Sequence, residues 1–285
     1  MEITRRGATL VLALVAVMAI CPTTATASDR KEFKYKTGPG SGIDIVNEFG
    51  PVNITVSSGN QVAISAITHS SKVEVDSSQS GNRVEVRTHF LQSANQNEGQ
   101  VDYEISVPAD ANVTVNTGTG AVHIEKLAGD VSVQGETGSV DAQNLNGAYL
   151  HIRTVNGSIT LTNVSNGHVD ATSVGGNVTL TNVAGPKVYV TTTKGSIRYD
   201  GDPAGGGEYQ LINYTGDIDV ALPADASVDV TARTVSGSVQ NDFPLQPKSH
   251  TSFVPDSRSF AGTSATGASM LRLSSFSGKI RVRKQ

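Results

Sequence analysis

A glycine that returns every 19 residues is the feature that most constrains this chain, and it stands at Gly138, Gly157, Gly176 and Gly195. After most of these glycines, and after a second series half a period away, apolar residues occupy relative positions 0, 2 and 5, as in Val140, Ala142 and Leu145. Positions 0 and 2 point to one side of a strand, and position 5 needs a bend to point there too. The same pattern of positions 0, 2 and 5 predicts that Val155 and Val174 point inward.

This period predicts the fold class. One strand, one bend and one glycine turn per half-period make half a coil of a solenoid. We therefore expect an all-β, single-domain β-solenoid, of the β-helix or β-roll type, with coils of about 19 residues and two strands per coil. A solenoid is a scaffold, so its function has to be sought on the outward-facing side chains.

The first 27 residues have the pattern of a signal peptide. Arg5 and Arg6 precede an apolar run over residues 8–20, and an Ala-x-Ala cleavage pattern ends at Ala27. The run is shorter than the roughly 20 residues that span a bilayer. We therefore expect an exported chain, periplasmic or at the cell surface or extracellular, with no transmembrane segment in its mature part. Lipid attachment at Cys21 is disfavoured because Ile20 stands where a small residue is preferred.

The exported part is expected to be one continuous domain over residues 28–285. Its divisions are less regular coils with a hairpin over 28–111, regular coils over 112–241, a loop over 242–268 and a closing coil over 269–285. In the last strand, Arg281 and Arg283 alternate with apolar residues. Such charges on a terminal coil would oppose end-to-end stacking, so replacing both arginines by threonine is expected to increase self-association.

The outward columns supply the candidate binding residues. Asn144, Asn163 and Asn182 are spaced like the glycines and are expected to form a structural amide ladder, with ligand binding as the alternative. A second column carries polar and aromatic groups, and we expect a shallow binding strip with His151, Arg153, Asp170 and Tyr189. His151 beside Asp170 also has the form of half a catalytic triad, but no Gly-x-Ser-x-Gly turn accompanies it.

Catalysis and cofactors receive little support. The sequence has no phosphate-binding loop, no zinc-ligand spacing and no calcium-binding repeat, so we expect no metal and no cofactor. The alternative is a carbohydrate-active β-helix enzyme that uses Asp217 and Asp219, with Arg198 and Asp200 nearby. Arg198 and Asp219 fall in one column and are expected to neutralise each other. The net charge of −4 and the scattered basic residues argue against nucleic acid as a partner.

Three phrases carry a family resemblance: Val-Pro-Ala-Asp-Ala-Asn-Val-Thr-Val over 107–115, Thr-Val-Ser-Gly-Ser-Val over 234–239, and the closing segment over 271–280. With them the chain resembles the bacterial putative-adhesin family, the head-GIN-like exported β-solenoid domains. The resemblance implies an envelope or surface location, a non-enzymatic role and no catalytic residues. We expect a binding scaffold for an envelope polymer or protein, with a periplasmic structural or regulatory protein in envelope-stress signalling as the alternative.

Overall fold

A computed structural model describes residues 28–147, 149–203, 206–248 and 257–285, so the expected signal peptide and Cys21 lie outside the described residues. Within the described part the regular structure consists of strands. In chain order they are β1 (Asp29–Lys36), β2 (Gly42–Asn47), β3 (Val52–Val56), β4 (Gln61–Thr68), β5 (Val73–Ser80), β6 (Arg83–Phe90), β7 (Val101–Val107), β8 (Asn112–Thr117), β9 (Val122–Glu125), β10 (Val131–Gly135), β11 (Val140–Asn146), β12 (Tyr149–Thr154), β13 (Ile159–Ser165), β14 (His168–Ser173), β15 (Val178–Ala184), β16 (Lys187–Thr192), β17 (Ile197–Asp200), β18 (Glu208–Thr215), β19 (Ile218–Leu222), β20 (Val228–Thr234), β21 (Ser238–Asn241), β22 (Gln246–Pro247), β23 (Ser259–Thr263), β24 (Ser269–Ser277) and β25 (Lys279–Lys284).

The strands form two sheets that enclose one apolar core. Sheet A has the order β1-β4-β7-β3-β9-β11-β13-β15-β17-β19-β25-β21, and sheet B has the order β5-β6-β2-β8-β10-β12-β14-β16-β18-β24-β20-β23-β22. Each coil gives one strand to each sheet, and successive coils pair in parallel. Val140, Ile159, Val178 and Ile197 are direct register partners in sheet A. The predicted β-solenoid with two strands and about 19 residues per coil is therefore confirmed.

In sheet A the bend at position 5 comes from a residue with left-handed backbone geometry. Asn144, Asn163 and Asn182 have φ values of 57°, 54° and 52°. Asparagine adopts this region more readily than most residues. The change of direction turns the next side chain into the core, so that Leu145 and Val164 are each only 1% exposed.

In sheet B the strands continue without such a bend, and the expectation for Val155 and Val174 is wrong. These two side chains are 46% and 44% exposed. Strict alternation instead buries the residue before each of them, so that Thr154 is 4% and Ser173 is 1% exposed. A row of hydroxyl groups therefore lines the core beside this corner of the solenoid.

The buried hydroxyls bind the carbonyl groups of the glycine turns. Thr154 Oγ1 donates to the Gly157 carbonyl oxygen at 2.7 Å, and Ser173 Oγ donates to the same oxygen at 3.1 Å. Thr192 Oγ1 donates to the Gly195 carbonyl oxygen at 2.7 Å. A buried carbonyl without a partner is costly, so these bonds explain a polar residue three positions before the glycine.

The 19-residue glycine series exists because successive turns stack backbone on backbone. A Cβ atom built on Gly157 would lie 1.9 Å from the Gly138 carbonyl oxygen, and one built on Gly176 would lie 2.1 Å from that of Gly157. Gly195 is in the same situation, with 2.0 Å to the Gly176 oxygen. Any larger residue would force neighbouring coils apart.

The coils at the C-terminal end do not stack in chain order. β24 and β25, the expected closing coil, lie between the β18–β19 coil and the β20–β21 coil. The expectation that this coil is terminal is therefore wrong. Its arginines are engaged with neighbouring coils, since Arg281 contacts Asp242 at 2.9 Å and Arg283 contacts Asp219 at 3.2 Å. These arginines do not lie on a terminal coil, so the reason to expect more self-association when they are replaced by threonine no longer holds.

The expected loop over 242–268 contains the short strands β22 and β23, which pair with each other and extend sheet B beyond β20. Both ends of the solenoid have antiparallel strands, namely β23 beside β20 at one end, and β4 beside β7 and β5 beside β6 at the other. They cover the end coils, whose edges would otherwise present unpaired backbone groups.

Candidate interaction surface

The outer face of sheet B carries the predicted strip. His151, Asp170 and Tyr189 are register partners on β12, β14 and β16. His151 Nδ1 lies 3.1 Å from Asp170 Oδ2, and the two side chains are 23% and 28% exposed. Arg153 is exposed in the neighbouring column, two residues further along β12. The four residues are thus on one face, and parallel strands hold them at fixed spacing.

Two further aromatic residues lie on the same face and were not predicted from the sequence. Tyr149 and His168 are register partners at the start of β12 and β14, with ring centroids 6.1 Å apart in an edge-to-face arrangement. The Tyr149 side chain is 50% exposed. The signal for both was their position two residues before His151 and Asp170, which puts them on the outward face of the same strands.

A shallow depression of about 370 Å³ adjoins these rings and is lined by Asn112, Thr114, Asp130, Ser132, Tyr149 and His151. Its floor is fixed by hydrogen bonds to the backbone. Asp130 Oδ1 accepts the Tyr149 amide hydrogen at 2.9 Å, and Asn112 Oδ1 accepts that of Asp130 at 2.9 Å. We call Tyr149, His151, Arg153, His168, Asp170 and Tyr189 the aromatic strip.

The asparagine column offers less to a ligand. Asn163 Nδ2 donates to Asn144 Oδ1 at 3.0 Å, and Asn182 Nδ2 donates to Asn163 Oδ1 at 3.2 Å. These amides are engaged with one another, and their backbones form the bend described above. Both observations fit the structural role expected for the column.

The carboxylates considered for sugar cleavage are held in structural contacts. Asp217 Oδ1 accepts the backbone amide hydrogen of Lys279 at 2.8 Å, where β25 begins. Asp219 pairs with Arg283. Arg198 approaches Asp200 at 3.7 Å, so the expected Arg198–Asp219 pair is wrong although the two residues are register partners. The closing coil brings Arg283 beside Asp219, a neighbour that the chain order of the coils did not predict.

The tyrosines with the most strongly shifted pKa values lie in the core. Burial raises the pKa of Tyr103 to about 12, and its hydroxyl lies 2.9 Å from Thr88 Oγ1. Burial also raises the pKa of Tyr199, whose hydroxyl donates to the Val183 carbonyl oxygen at 3.0 Å. These shifts reflect packing, since both side chains are at most 1% exposed.

In the described ranges, no group of three or more His, Cys, Asp or Glu residues is placed to hold a metal ion. The same part of the chain contains no helix with the length and hydropathy of a membrane span.

Comparison with solved structures finds two distant matches, each over 90% of this chain. A putative cell adhesion protein from Clostridium sporogenes is 13% identical, matches over 100% of its own length and has a TM-score of 0.29. A putative adhesin from Bacteroides fragilis is 14% identical, matches over 98% of its length and has a TM-score of 0.34. We draw no functional argument from similarities this low.

The comparison with protein families is decisive for classification. No curated protein matches the sequence. The family model described as Toastrack DUF4097 matches residues 41–283, which is nearly all of the described chain. This match confirms the family resemblance drawn from the sequence phrases, and the chain belongs to the Toastrack DUF4097 family.

Proposed function

We propose that this protein is an exported, non-catalytic β-solenoid that binds an envelope or extracellular partner through the aromatic strip. The observation that carries the proposal is the meeting of exposed rings, imidazoles and a shallow depression on one face of sheet B. Parallel strands hold these groups rigidly, so little side-chain order has to be gained on binding. An open, shallow site suits an extended polymer or a protein surface better than a small enclosed substrate.

The chemistry of the strip indicates which partner it would take. Tyr149 offers an exposed ring, and Asp170, Ser132 and Thr114 offer hydrogen-bonding groups on adjoining strands. Aromatic faces beside hydroxyl and carboxylate groups suit a ligand with both apolar and hydroxyl-bearing surfaces. An envelope glycan has this character, and we name it as the first class to test.

The experiment is calorimetric titration of the purified protein with fractionated envelope glycans, followed by Tyr149→Ala. We expect saturable binding that Tyr149→Ala weakens by about tenfold or more, as removal of an anchoring ring does. Tyr214→Ala is the matched control, because Tyr214 is 52% exposed but lies at a corner outside the strip. The affinity of this variant for glycan fragments that are short enough to occupy one strip should equal that of the unmodified protein.

Two outcomes would overturn the proposal. One is the absence of binding in every envelope fraction, which would favour the structural or regulatory alternative. The other is binding that Tyr149→Ala and Arg153→Ala leave unchanged, since the ligand would then use another surface. Hydrolysis of the glycan during titration would contradict the non-catalytic part of the proposal.

A further inference from the structure

One corner of the solenoid carries a row of exposed apolar side chains. At this corner the chain leaves sheet B, and each coil places one side chain outward directly after its buried hydroxyl or amide. In spatial order six successive coils contribute Val155, Val174, Thr193, Tyr214, Phe276 and Val235. The five members of this row other than Thr193 are 44% to 52% exposed hydrophobic residues. We call these six residues the apolar corner.

Backbone hydrogen bonds hold the row together from coil to coil. Gly175 N donates to the Val155 carbonyl at 2.6 Å, and Ser236 N donates to the Phe276 carbonyl at 2.7 Å. The rings of Tyr214 and Phe276 are stacked, with centroids 4.7 Å apart and planes 7° from parallel. The exposed groups therefore form a ridge along the solenoid.

The fold does not require apolar residues here. On the coils before Val155 the same position is taken by Glu136 and Gly118, and Thr193 interrupts the row itself. Single exposed apolar residues need no explanation, but a contiguous row on an otherwise polar surface is characteristic of an interaction site.

We propose that the apolar corner binds a second copy of this chain, antiparallel and related by a two-fold axis midway between the Val155 and Val174 coils. In this arrangement Val155 of each copy faces Val174 of the other. One coil further out, Glu136 faces the turn that carries Lys194. A two-fold interface needs such self-complementarity, because every contact occurs twice.

The charges at this position support a second copy as the occupant. Glu136 and Lys194 are both exposed, and neither is in an ion pair with another described residue. They lie on opposite sides of the axis, one coil beyond the two valines. Opposite charges placed in this way fix the register of a two-fold pair.

The outer coils are complementary in part, since the same axis also sets Phe276 opposite Glu48. Tyr214 lies two coils beyond the axis and would face Gly118, which has no side chain. The Glu48 carboxylate extends over Gly118, with Oε1 2.8 Å from where a Cβ would lie, so the tyrosine hydroxyl would meet an acceptor. On the fifth coil from the axis, His89 would face Val235, with Phe90 next to it in the chain, 41% exposed and packed edge-to-face on Phe49 at 5.8 Å.

The arrangement has a consequence for ligand binding. A two-fold axis across the corner reverses the direction of the solenoid but keeps the outer faces of both sheets B on the same side. Two aromatic strips would then face one partner surface, and a polymer that spans both would bind more tightly than to one copy.

The test is sedimentation velocity over a range of concentrations. We expect a reversible dimer that Glu136→Lys or Lys194→Glu alone weakens by about tenfold or more. The double variant, Glu136→Lys with Lys194→Glu, should restore the dimer because the pair is remade with its charges exchanged. Tyr149→Ala, outside the corner, should leave the dimer unchanged, and circular dichroism checks that each variant is folded.

A monomer at all concentrations would overturn the proposal, as would a dimer that single charge reversals leave intact or that the double variant fails to restore. The two proposals are tested separately, since sedimentation without glycan measures assembly, and calorimetry with glycan fragments too short to span two strips measures the affinity of one strip. Either proposal can therefore fail while the other stands.

Discussion

Gly157→Ala gives the sharpest test of how the coils stack. Gly157 has an ordinary backbone conformation, so alanine is disfavoured there only by space. The new Cβ would lie 1.9 Å from the Gly138 carbonyl oxygen and 2.8 Å from its carbon. Both are backbone atoms, which cannot swing aside as a flexible side chain can. The turn of one coil has to move away from the other.

The cost follows from the bonds that this movement strains. Asn156 N donates to the Glu136 carbonyl at 2.7 Å, and Val140 N donates to the Ser158 carbonyl at 2.8 Å. Each bond contributes about 0.5–1.5 kcal/mol net. Loss of both bonds, together with the residual clash, is expected to lower the free energy of unfolding by about 2–4 kcal/mol.

Two other glycines separate space from backbone conformation. Gly147 has a φ of 79° and open space where its Cβ would stand, so alanine there meets only the left-handed strain of about 1–2 kcal/mol. Gly59 has open space and a φ outside the left-handed range, so its replacement should be neutral or stabilise by up to about 1 kcal/mol.

The assay is urea unfolding followed by circular dichroism, which suits a chain without tryptophan. The expected order of destabilisation is Gly157→Ala, then Gly147→Ala, then Gly59→Ala. If Gly157→Ala costs no more than Gly147→Ala, backbone stacking is not the reason for the glycine period.

Two further predictions concern polar groups. Ser173→Ala should destabilise the protein by about 1 kcal/mol more than Thr154→Val, because the serine also accepts the Gly176 amide hydrogen at 2.9 Å; equal losses in urea unfolding would contradict this. Hydrogen bonding to Arg281 lowers the pKa of Asp242 below 3.8, so the associated stability is present above that value and is lost as pH falls through the lower folded pKa. Asp242→Asn should therefore reduce the loss of stability as the pH falls below 3.8. An unchanged dependence of the free energy of unfolding on pH in this acid range would refute the prediction.

The sequence was sufficient to predict the coil but not which side chains turn inward. The phrase 0, 2 and 5 looks the same on both strands of a coil. On sheet A, asparagine at position 4 takes up a left-handed conformation and position 5 is buried. On sheet B, Thr154 and Ser173 keep the alternation and position 5 is exposed. The informative signal was the polar residue three positions before Gly157, Gly176 and Gly195.

The candidate strip was predictable in part for the same reason. Spacing alone aligns His151, Asp170 and Tyr189, because register follows from the repeat. Tyr149 and His168 precede the apolar phrase of their coils and look like turn residues in the sequence. The apolar corner was hidden because Phe276 and Tyr214 become neighbours only through the insertion of β24 beside β18.

Chain order fails at the ends because the two related phrases at Pro108 and Pro223 are crossovers that each skip one coil. Each forms the same turn, in which Ala111 N donates to the Pro108 carbonyl at 3.1 Å and Ala226 N donates to the Pro223 carbonyl at 3.0 Å. The β7–β8 crossover passes the β2 coil, and the β19–β20 crossover passes the β24 coil. Because any coil fits the glycine stack, the sequence of the skipped coil does not reveal its place.

These crossovers bear on where two copies can meet. The last strand, β25, is paired on both sides, so it is not available as an edge. Two of the four edge strands suit pairing poorly, since β22 has two residues including Pro247 and β1 carries four lysine and arginine residues among its eight. Edges of this kind oppose strand addition. Because β25 is paired on both sides and β1 and β22 are poor partners for strand addition, we expect self-association to use the side of the solenoid. On that side the exposed hydrophobic groups of the apolar corner follow β12, β14, β18, β24 and β20, and Thr193 interrupts the row after β16.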